Sequence, residues 1–368
     1  LGAPLLWTDF ASDGECALAL DGEGRLLRFE TPRVDGPNHH QATARVLNDA
    51  HWTRCVVADS AMVAVGGGAD GVVGRIDLIS NEIVSESRGW VQGVRDLAIR
   101  PDGSKVAIVD GIGRLGLWDG GSDVARRLPG VEQQIQRVCF DPSGRLLAAG
   151  DALGQVLIWD TTTLELIHRL AANWSADSGE RHPVVDLAFN PEGTSVHAAC
   201  APWWTLSWEL DSKDESLVGE KRMALLWMEA LPDELGVLTC GSGVGTISIG
   251  HSERLSRPVT QHTDSITCLQ AKHGSKIAST GSKDGSVLIW DVESGETLAR
   301  YAQHRGTVEH IAFAPDPDDE RILTAGADGT LALWLVNPTR LAESVAPYGL
   351  SQRLRDRFDS WGMAPESR

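Results

Sequence analysis

Short apolar runs separated by turn residues follow one another along almost the whole chain. The runs are rich in valine, isoleucine, leucine and alanine, and they end at glycine, proline, aspartate or asparagine. Such runs predict β-strands, because an amphipathic helix needs a longer segment with a period near 3.6 residues. Many pairs of runs are joined by an Asp-Gly turn, which is typical of a β-hairpin. The pattern therefore predicts an all-β protein.

The runs also repeat. Residues 277–291 and 322–334 show the repeat most clearly, since each holds two apolar strands around a turn that contains Asp-Gly. A strand that ends in a turn precedes most of these hairpins, and a more polar strand follows. We therefore count eight units of four short strands. Aligned on the turn glycine, the units place the following residues at one shared position, 40 to 49 residues apart: Phe29, Ile76, Trp118, Trp159, Trp208, Gly250, Trp290 and Trp334.

The repeat resembles the WD-repeat family of β-propellers. Its length, its four strands and its Trp-Asp ending, as at Trp118-Asp119 and Trp290-Asp291, carry the resemblance. The resemblance implies eight blades of four antiparallel strands, with seven blades as the alternative, because the second and sixth units are the weakest. We assign residues 1–346 to this propeller. Since the chain begins at an inner strand, we expect the first and last blades to close the ring by packing.

The resemblance also implies a hydrogen-bonded set of four side chains within a blade, which we call a tetrad. It consists of a histidine, a serine or threonine, the turn aspartate and the blade tryptophan. We interpret these side chains as structural and not catalytic. Two blades match the set fully, with His262, Ser279, Asp284 and Trp290 in one and His304, Thr324, Asp328 and Trp334 in the next.

The C-terminal residues 347–368 follow a different pattern. Leu350, Leu354, Phe358 and Trp361 fall on one stripe of a helix. This predicts a short C-terminal amphipathic helix and tail, which either covers the propeller or docks another domain of the same polypeptide.

Charge and cysteine content limit the kinds of partner and the cellular location that we expect. The chain has 33 basic and 51 acidic residues, a net charge of −18, which argues against nucleic acid as a partner. No apolar run is long enough to cross a membrane. The six cysteines fall on predicted inner strands, so we interpret them as reduced core residues and expect a cytoplasmic location. Because the sequence starts at Leu1 and is rich in alanine, arginine and glycine, we expect a WD-repeat domain of a larger bacterial protein.

The sequence holds no catalytic or metal-binding motif that fits its context. Residues 66–71 match a dinucleotide-binding pattern, but they run from one strand into the next and predict a hairpin turn. His39 and His40 lie in a polar loop, and neither a Cys-x-x-Cys pair nor a Gly-x-Ser-x-Gly elbow occurs. We therefore expect no enzyme, no cofactor and no metal.

Of the thirteen tryptophans, five are at blade positions, Trp7 and Trp227 lie in first strands and Trp361 lies in the tail. The other five all map to connections on one face of the propeller, the top face. Exposed tryptophan and arginine are typical of binding hot spots. The sequence thus predicts a non-catalytic scaffold or signalling sensor that binds a protein or peptide there. A propeller enzyme or small-ligand binder that uses the channel is the alternative, and an aromatic cage of Trp203 and Trp204 for a modified residue is a third possibility. The predicted binding residues are Trp52, Arg54, Trp90, Arg95, Trp174, Trp203 and Trp204.

Overall fold

The structure, a computed structural model, consists of β-strands and turns in every part of the chain that it describes. That part comprises residues 3–31, 45–48, 51–121, 125–171, 182–201, 204–211, 215–220, 225–231, 237–241, 246–249, 256–258, 262–272, 275–302 and 304–336.

The strands group into sheets in chain order, which we number sheet 1 to sheet 8. Sheets 1 to 4 contain β1 Leu5–Phe10, β2 Cys16–Asp21, β3 Leu26–Glu30 and β4 Arg45–Asn48; β5 Trp52–Val57, β6 Val63–Gly68, β7 Val73–Asp77 and β8 Glu82–Ser87; β9 Val94–Ile99, β10 Val106–Asp110, β11 Leu115–Trp118 and β12 Arg126–Arg127; β13 Ile135–Phe140, β14 Leu146–Asp151, β15 Gln155–Asp160 and β16 Leu166–Ala171.

Sheets 5 to 8 contain β17 Val184–Phe189, β18 Ser195–Cys200, β19 Trp204–Glu209 and β20 Glu215–Glu220; β21 Leu225–Ala230, β22 Val237–Gly241, β23 Thr246–Ile249 and β24 Ser256–Pro258; β25 Ile266–Ala271, β26 Ile277–Ser282, β27 Val287–Asp291 and β28 Thr297–Tyr301; β29 Val308–Phe313, β30 Arg321–Gly326 and β31 Leu331–Leu335.

The sheets are arranged in a ring. Each is antiparallel and pairs its strands in chain order, so the first strand is innermost. The first strands contact one another in the cyclic order β1, β5, β9, β13, β17, β21, β25, β29 and again β1. The prediction of an all-β propeller is confirmed. The number of blades stays a prediction, and the eight sheets support the larger count.

Apolar patterning explains why the sheets stack. Most of the second strands with described side chains are buried along their whole length, as in β2, β18 and β30, because neighbouring sheets cover both of their faces. The fourth strands alternate exposed and less exposed residues, as in β8 and β16, which suits an outer edge. The glycine run at residues 66–68 lies at the end of β6, and a turn to β7 follows it. The hairpin reading of that segment is therefore correct.

Sheet 8 closes the ring against sheet 1 through direct contacts of β1 with β29 and β30. Arg321 on β30 is 3% exposed and crosses this junction. Its Nη1 donates to the Thr31 carbonyl oxygen at 2.8 Å and its Nη2 to the Gly14 carbonyl oxygen at 2.6 Å. Asp319 holds the guanidinium from its own sheet at 2.5 Å. Closure by the first and last sheets thus includes a buried arginine that the sequence reading missed.

The outermost strand described in sheet 8 is β31. All of its residues are partly exposed, whereas most residues of β15 and β27, the third strands of sheets 4 and 7, are buried. A fourth strand covers β15 and β27. The boundary at 346 and the C-terminal helix at 347–368 lie outside the described residues and stay predictions.

Candidate functional site

One end of the sheets is built from two kinds of connection that hydrogen-bond to each other. The turn between the second and third strands donates a backbone N–H to the segment that leads into the first strand. Gly111 donates to Gly93 at 2.9 Å and Ala152 donates to Gln134 at 2.9 Å, and four other sheets repeat the contact. We use "top face" for this end. Its loops are held by the scaffold, which is the arrangement that positions binding residues.

Trp52 does not lie on that surface. It is the first residue of β5 and is 2% exposed, in an apolar cluster between sheets 1 and 2. Its ring lies over the paired Gly66 and Gly74, where an added Cβ atom would come within 2.6 and 2.8 Å of ring carbons. The prediction that Trp52 contacts a partner is therefore wrong. The signal that could have placed it was the glycine run, because glycine inside a strand often marks a close approach.

Trp90 is partly exposed and packs against the core between sheets 2 and 3. Its Nε1 donates to Ser87 Oγ at 3.3 Å, and its ring approaches the position where Gly116 would carry a Cβ atom, at 2.8 Å. The side chain thus has a structural role, because its ring packs between sheets 2 and 3 under the top-face loop to which Trp90 belongs.

Arg54 and Arg95 lie next to each other on the first strands of sheets 2 and 3. Arg54 is exposed, and its Nε donates to the Arg95 carbonyl oxygen at 3.2 Å. Arg95 donates from Nη1 to Gln136 Oε1 at 2.7 Å and from Nη2 to the Gly111 carbonyl oxygen at 2.6 Å. The structure therefore brings both predicted arginines to the rim of the ring of first strands.

Three predicted aromatic residues, Trp174, Trp203 and Trp204, lie wholly or partly outside the described structure. Trp174 and Trp203 fall outside the described residues. Trp204 is the first residue of β19, where its backbone pairs with Cys200 and Glu220, and its side chain is outside the description. The aromatic cage at residues 203 and 204 stays a prediction.

The sequence reading missed two exposed apolar residues on the top face. Val91 is 41% exposed and Ile112 is 36% exposed. They are neighbours, because the Gly111 N–H donates to the Val91 carbonyl oxygen at 3.0 Å. Only their occurrence as apolar residues within predicted turns could have indicated them.

The tetrad of sheet 8 has the expected members. Thr324 Oγ1 lies 2.7 Å from His304 Nε2 and accepts the Trp334 Nε1–H at 2.8 Å. Asp328 accepts the Arg305 N–H at 2.7 Å and contacts His304 Nδ1 at 3.3 Å. Partial burial opposes ionisation of Asp328, but the bonds from Thr330 and Arg305 outweigh it and lower its pKa to about 2. The set ties the top loop to the sheet core.

The tetrad of sheet 7 differs from the prediction in one member. His262 Nε2 lies 2.9 Å from Thr280 Oγ1, whereas Ser279 donates to the Leu288 carbonyl oxygen on the other face of the strand. Neighbouring residues of a strand point to opposite faces, so an assignment shifted by one residue fails. Asp284 contacts His262 Nδ1 at 3.7 Å, and Trp290 Nε1 has no hydrogen-bond partner among the described residues.

We expect the two threonines to differ in their contribution to stability. Thr324→Val removes the partner of both His304 Nε2 and Trp334 Nε1 and should lower the free energy of unfolding by about 2–3 kcal/mol. Thr280→Val disturbs only His262 and should cost about 1–2 kcal/mol. Urea unfolding of both variants measures the difference. Equal costs would show that the Trp334 bond adds nothing to the sheet 8 tetrad.

Three other sheets replace the tetrad aspartate with one at the end of the second strand: Asp21, Asp110 and Asp151. Asp110 is fully buried, and its Oδ2 accepts the Arg114 Nε–H at 2.6 Å and the Val91 N–H at 3.1 Å. Asp21 pairs with Arg25 in the same way, at 2.8 Å. The carboxylate thus anchors the top loop of sheet 3 from a position two residues earlier. The sequence Asp-Gly-x-Gly-Arg, which occurs at residues 21–25 and 110–114 but not at Asp151, is the signal for the aspartate–arginine pair.

Two aspartates on first strands, Asp9 and Asp96, have raised pKa values. Burial raises the pKa of Asp9 to about 7 and that of Asp96 to about 6, although Arg137 and the Val138 N–H oppose the rise at Asp96. Neither lies in a cluster that could bind a metal ion, since no group of three such ligands occurs in the described residues. We interpret both as partly buried structural acids and not as a catalytic pair.

The raised pKa of Asp9 predicts a pH effect on stability. The folded chain holds the proton up to about pH 7 and the unfolded chain releases it near the ordinary value of 3.8, so this group makes stability fall as pH rises from about 4 to 7. Asp9→Asn should therefore raise the free energy of unfolding at pH 8, on the order of 1–2 kcal/mol, and by less at pH 5. Urea titrations at both pH values test this, with the exposed Asp13→Asn as control. A destabilised Asp9→Asn variant at pH 8 would contradict it.

The described part of the chain has no helix that could span a membrane. Its cysteines are all free, and all except the partly buried Cys139 are fully buried. Burial raises the pKa of the Cys16 thiol to about 11, so that thiol is protonated at neutral pH.

Comparison with known proteins defines the class. The family described as "WD domain, G-beta repeat" matches residues 123–160, 253–291 and 295–334. The chain therefore contains WD40 repeats, and its fold is that of a WD-repeat β-propeller. A crystal structure of the computationally designed Ika8 protein superposes with a TM-score of 0.71 at 17% identity, over 91% of this chain and 97% of that one, which shows the fold alone.

The curated relatives are WD-repeat proteins. WD repeat-containing protein 90 of Xenopus tropicalis is 26% identical over 237 residues, 60% of this chain and 12% of that protein. Actin-interacting protein 1 of Drosophila melanogaster is 25% identical over 209 residues, 55% of this chain and 33% of that protein. WD repeat-containing protein 1 of Bos taurus is 26% identical over 243 residues, 55% of this chain and 34% of that protein.

The chain thus matches between 12% and 34% of the length of these relatives. None of the three is named for a catalytic activity. All three come from animals, so they give no support to the expectation of a bacterial origin.

Proposed function

We propose that this chain is a non-catalytic scaffold or sensor domain that binds a protein or peptide on the top face of its propeller. The observation that carries the proposal is that backbone hydrogen bonds join the turns and connections of that face to each other. The same face exposes Arg54, Val91 and Ile112 to solvent. A rigid, preformed surface lowers the entropy cost of binding.

The relatives support a protein as the partner. Actin-interacting protein 1 carries such a partner in its name, and the other relatives are WD-repeat proteins. Other domains of the same polypeptide are a second kind of partner. The buried free cysteines support the expectation of a cytoplasmic signalling protein. The titratable groups of the described first strands do not form a recognised catalytic set, which disfavours the channel enzyme.

Site-specific photo-crosslinking tests the proposal. One variant carries the crosslinking residue at Gln134, which is exposed on the top face. The matched variant carries it at Ile79, which is 77% exposed in the turn between β7 and β8, at the opposite end of the sheets. Quantitative mass spectrometry of adducts formed in a cell lysate should show specific proteins at Gln134 and not at Ile79.

A parallel capture with Trp174, Trp203 and Trp204 changed to alanine tests the predicted aromatic residues separately. Loss of the Gln134 adducts in that variant would place the partner over sheet 5. Adducts that form only at Ile79 would refute the top-face proposal, and binding of small metabolites without any protein adduct would favour the channel instead.

A further inference from the structure

The top rim of sheets 2 to 4 combines basic and apolar side chains in a continuous patch. A chain of hydrogen bonds links its members: Arg54 donates to the Arg95 carbonyl oxygen, and Arg95 donates to the carbonyl oxygen of Gly111, which itself donates to Val91. Ile112 follows Gly111 directly, and Gln136 accepts from Arg95. We call this set the rim patch, and it consists of Arg54, Val91, Gln92, Arg95, Ile112 and Gln136.

The two arginines of the rim patch are not neutralised by contact with a carboxylate. Within the described residues, neither guanidinium group lies within ion-pair distance of an acid, and their hydrogen bonds go to carbonyl and amide oxygens. The nearby Asp110 is fully buried and is bound by Arg114. Asp96 accepts the Val138 N–H of the next sheet, and it lies close enough to Arg54 and Arg137 for their charges to oppose the rise of its pKa, but it makes no ion pair with Arg54. On a chain with a net charge of −18, these two arginines make the top rim of sheets 2 and 3 locally basic.

Backbone hydrogen bonds fix the apolar residues of the rim patch, Val91 and Ile112, in their exposed positions. Gly111 donates to both Val91 and Gly93, and the Val91 N–H donates to Asp110. Gln92 has a φ of 59°, which a residue with a side chain rarely adopts, and a Cβ atom on Gly111 would lie 2.4 Å from its carbonyl oxygen. The two loops are therefore locked together at close approach. Exposed apolar residues on such a rigid support are typical of a binding surface.

We infer that the rim patch binds an acidic peptide segment, with carboxylates at Arg54 and Arg95 and an apolar side chain against Val91 and Ile112. Charge complementarity selects this partner over a basic one, because both charged side chains of the rim patch are cationic. Glu309, the acid at the position equivalent to Arg95, lies on sheet 8 and outside the patch. The inference rests on the proposed function and names the chemistry of the partner and the part of the top face that it uses.

Fluorescence anisotropy with synthetic probes tests the inference. Three labelled peptides of equal length alternate aspartate with leucine, aspartate with serine, and lysine with leucine, and a labelled oligothymidine serves as a fourth probe. We expect the aspartate–leucine peptide to bind most tightly and more weakly as salt rises. Equal binding of the lysine–leucine peptide would overturn the inference, and preferential binding of oligothymidine would replace the peptide with a nucleic acid.

Matched variants locate the binding. Arg54→Glu and Ile112→Ser should each weaken the aspartate–leucine complex roughly tenfold, since each removes a central contact. Arg126→Glu on the exposed outer strand β12 and Ile79→Ser in the opposite turn make the same chemical changes elsewhere and should leave binding unchanged. All four positions are at the surface, and circular dichroism confirms folding. Control variants that bind as weakly as the rim variants would overturn the inference.

The crosslinking experiment separates this inference from the proposed function. If Gln134 yields protein adducts that persist in Arg54→Glu and Ile112→Ser, the top face binds proteins but the rim patch does not select them. If no top-face adduct forms at all, the proposed function fails first.

Discussion

Replacing Arg321 with methionine should lower the free energy of unfolding by about 3–5 kcal/mol, the largest loss we expect from a single charged residue in this protein. Methionine keeps the apolar stem but removes every donor. It removes the guanidinium donors to the Gly14 and Thr31 carbonyl oxygens of sheet 1, of which Gly14 keeps only the bond from the Thr31 hydroxyl, and it takes the ion-pair partner from Asp319. The guanidinium carbon also lies 5.5 Å from the centre of the Phe10 ring, a contact that would be lost.

The expected loss has a specific cause, which is the opening of the junction between sheets 8 and 1. Arg321→Lys should recover part of it, because lysine keeps the charge but cannot reach both carbonyl oxygens and Asp319 with one ammonium group. Hydrogen exchange should accelerate in β1 and β30 of the methionine variant before it does so elsewhere. Arg145→Met is the matched control, since that side chain is 76% exposed and 3.7 Å from Asp160. It should change stability by less than about 1 kcal/mol.

Urea unfolding and exchange together decide the result. If Arg321→Met costs no more than Arg145→Met, the contacts of β1 with β29 and β30 close the ring by themselves. If the stability loss is large but hydrogen exchange accelerates evenly over all sheets, the arginine stabilises the whole fold and does not specifically hold sheets 8 and 1 together.

Replacing Trp52 with alanine should cost about 3–5 kcal/mol, because it leaves a cavity between sheets 1 and 2. The ring is buried in a cluster with Ile76, which stands where other sheets have their blade tryptophan. Trp52 thus supplies aromatic volume to a sheet that lacks the usual source. Ile79→Ala in the exposed turn nearby is the control and should stay within about 0.5 kcal/mol of the parent protein.

A double-mutant cycle with Gly66 makes the test more specific. In the parent protein, Gly66→Ala forces a Cβ atom to 2.6 Å from the Trp52 ring and should destabilise the fold. In the Trp52→Ala background that clash is gone, and the same change should be neutral or favourable. Additive costs would show that the ring does not lie over Gly66, and the partner-binding role first assigned to Trp52 would then return.

Local sequence patterns were sufficient for the strands and the type of fold. The Asp-Gly turns, the apolar second strands and the blade tryptophans of five units are each signals that come from residues close together in the chain. For the same reason the hairpin at residues 66–71 was distinguished from a nucleotide-binding loop. The sequence could also have identified Thr280 as the tetrad member. Thr324 lies ten residues before Trp334, and the residue ten positions before Trp290 is Thr280 and not Ser279.

The sequence by itself determined that this chain forms repeated antiparallel sheets, because hydrophobic period and turn chemistry act over a few residues. Only the tertiary structure decided which side chains face the solvent and which join distant units. Arg321 meets Gly14 across 307 residues of sequence, and Trp52 is buried because glycines on two later strands leave room for its ring. The rim patch depends on a turn of sheet 3 that is bonded to the connection between sheets 2 and 3, and on the bond from Arg54 to Arg95 between the two sheets. Such contacts depend on how sheets pack against each other, and no local period encodes that packing.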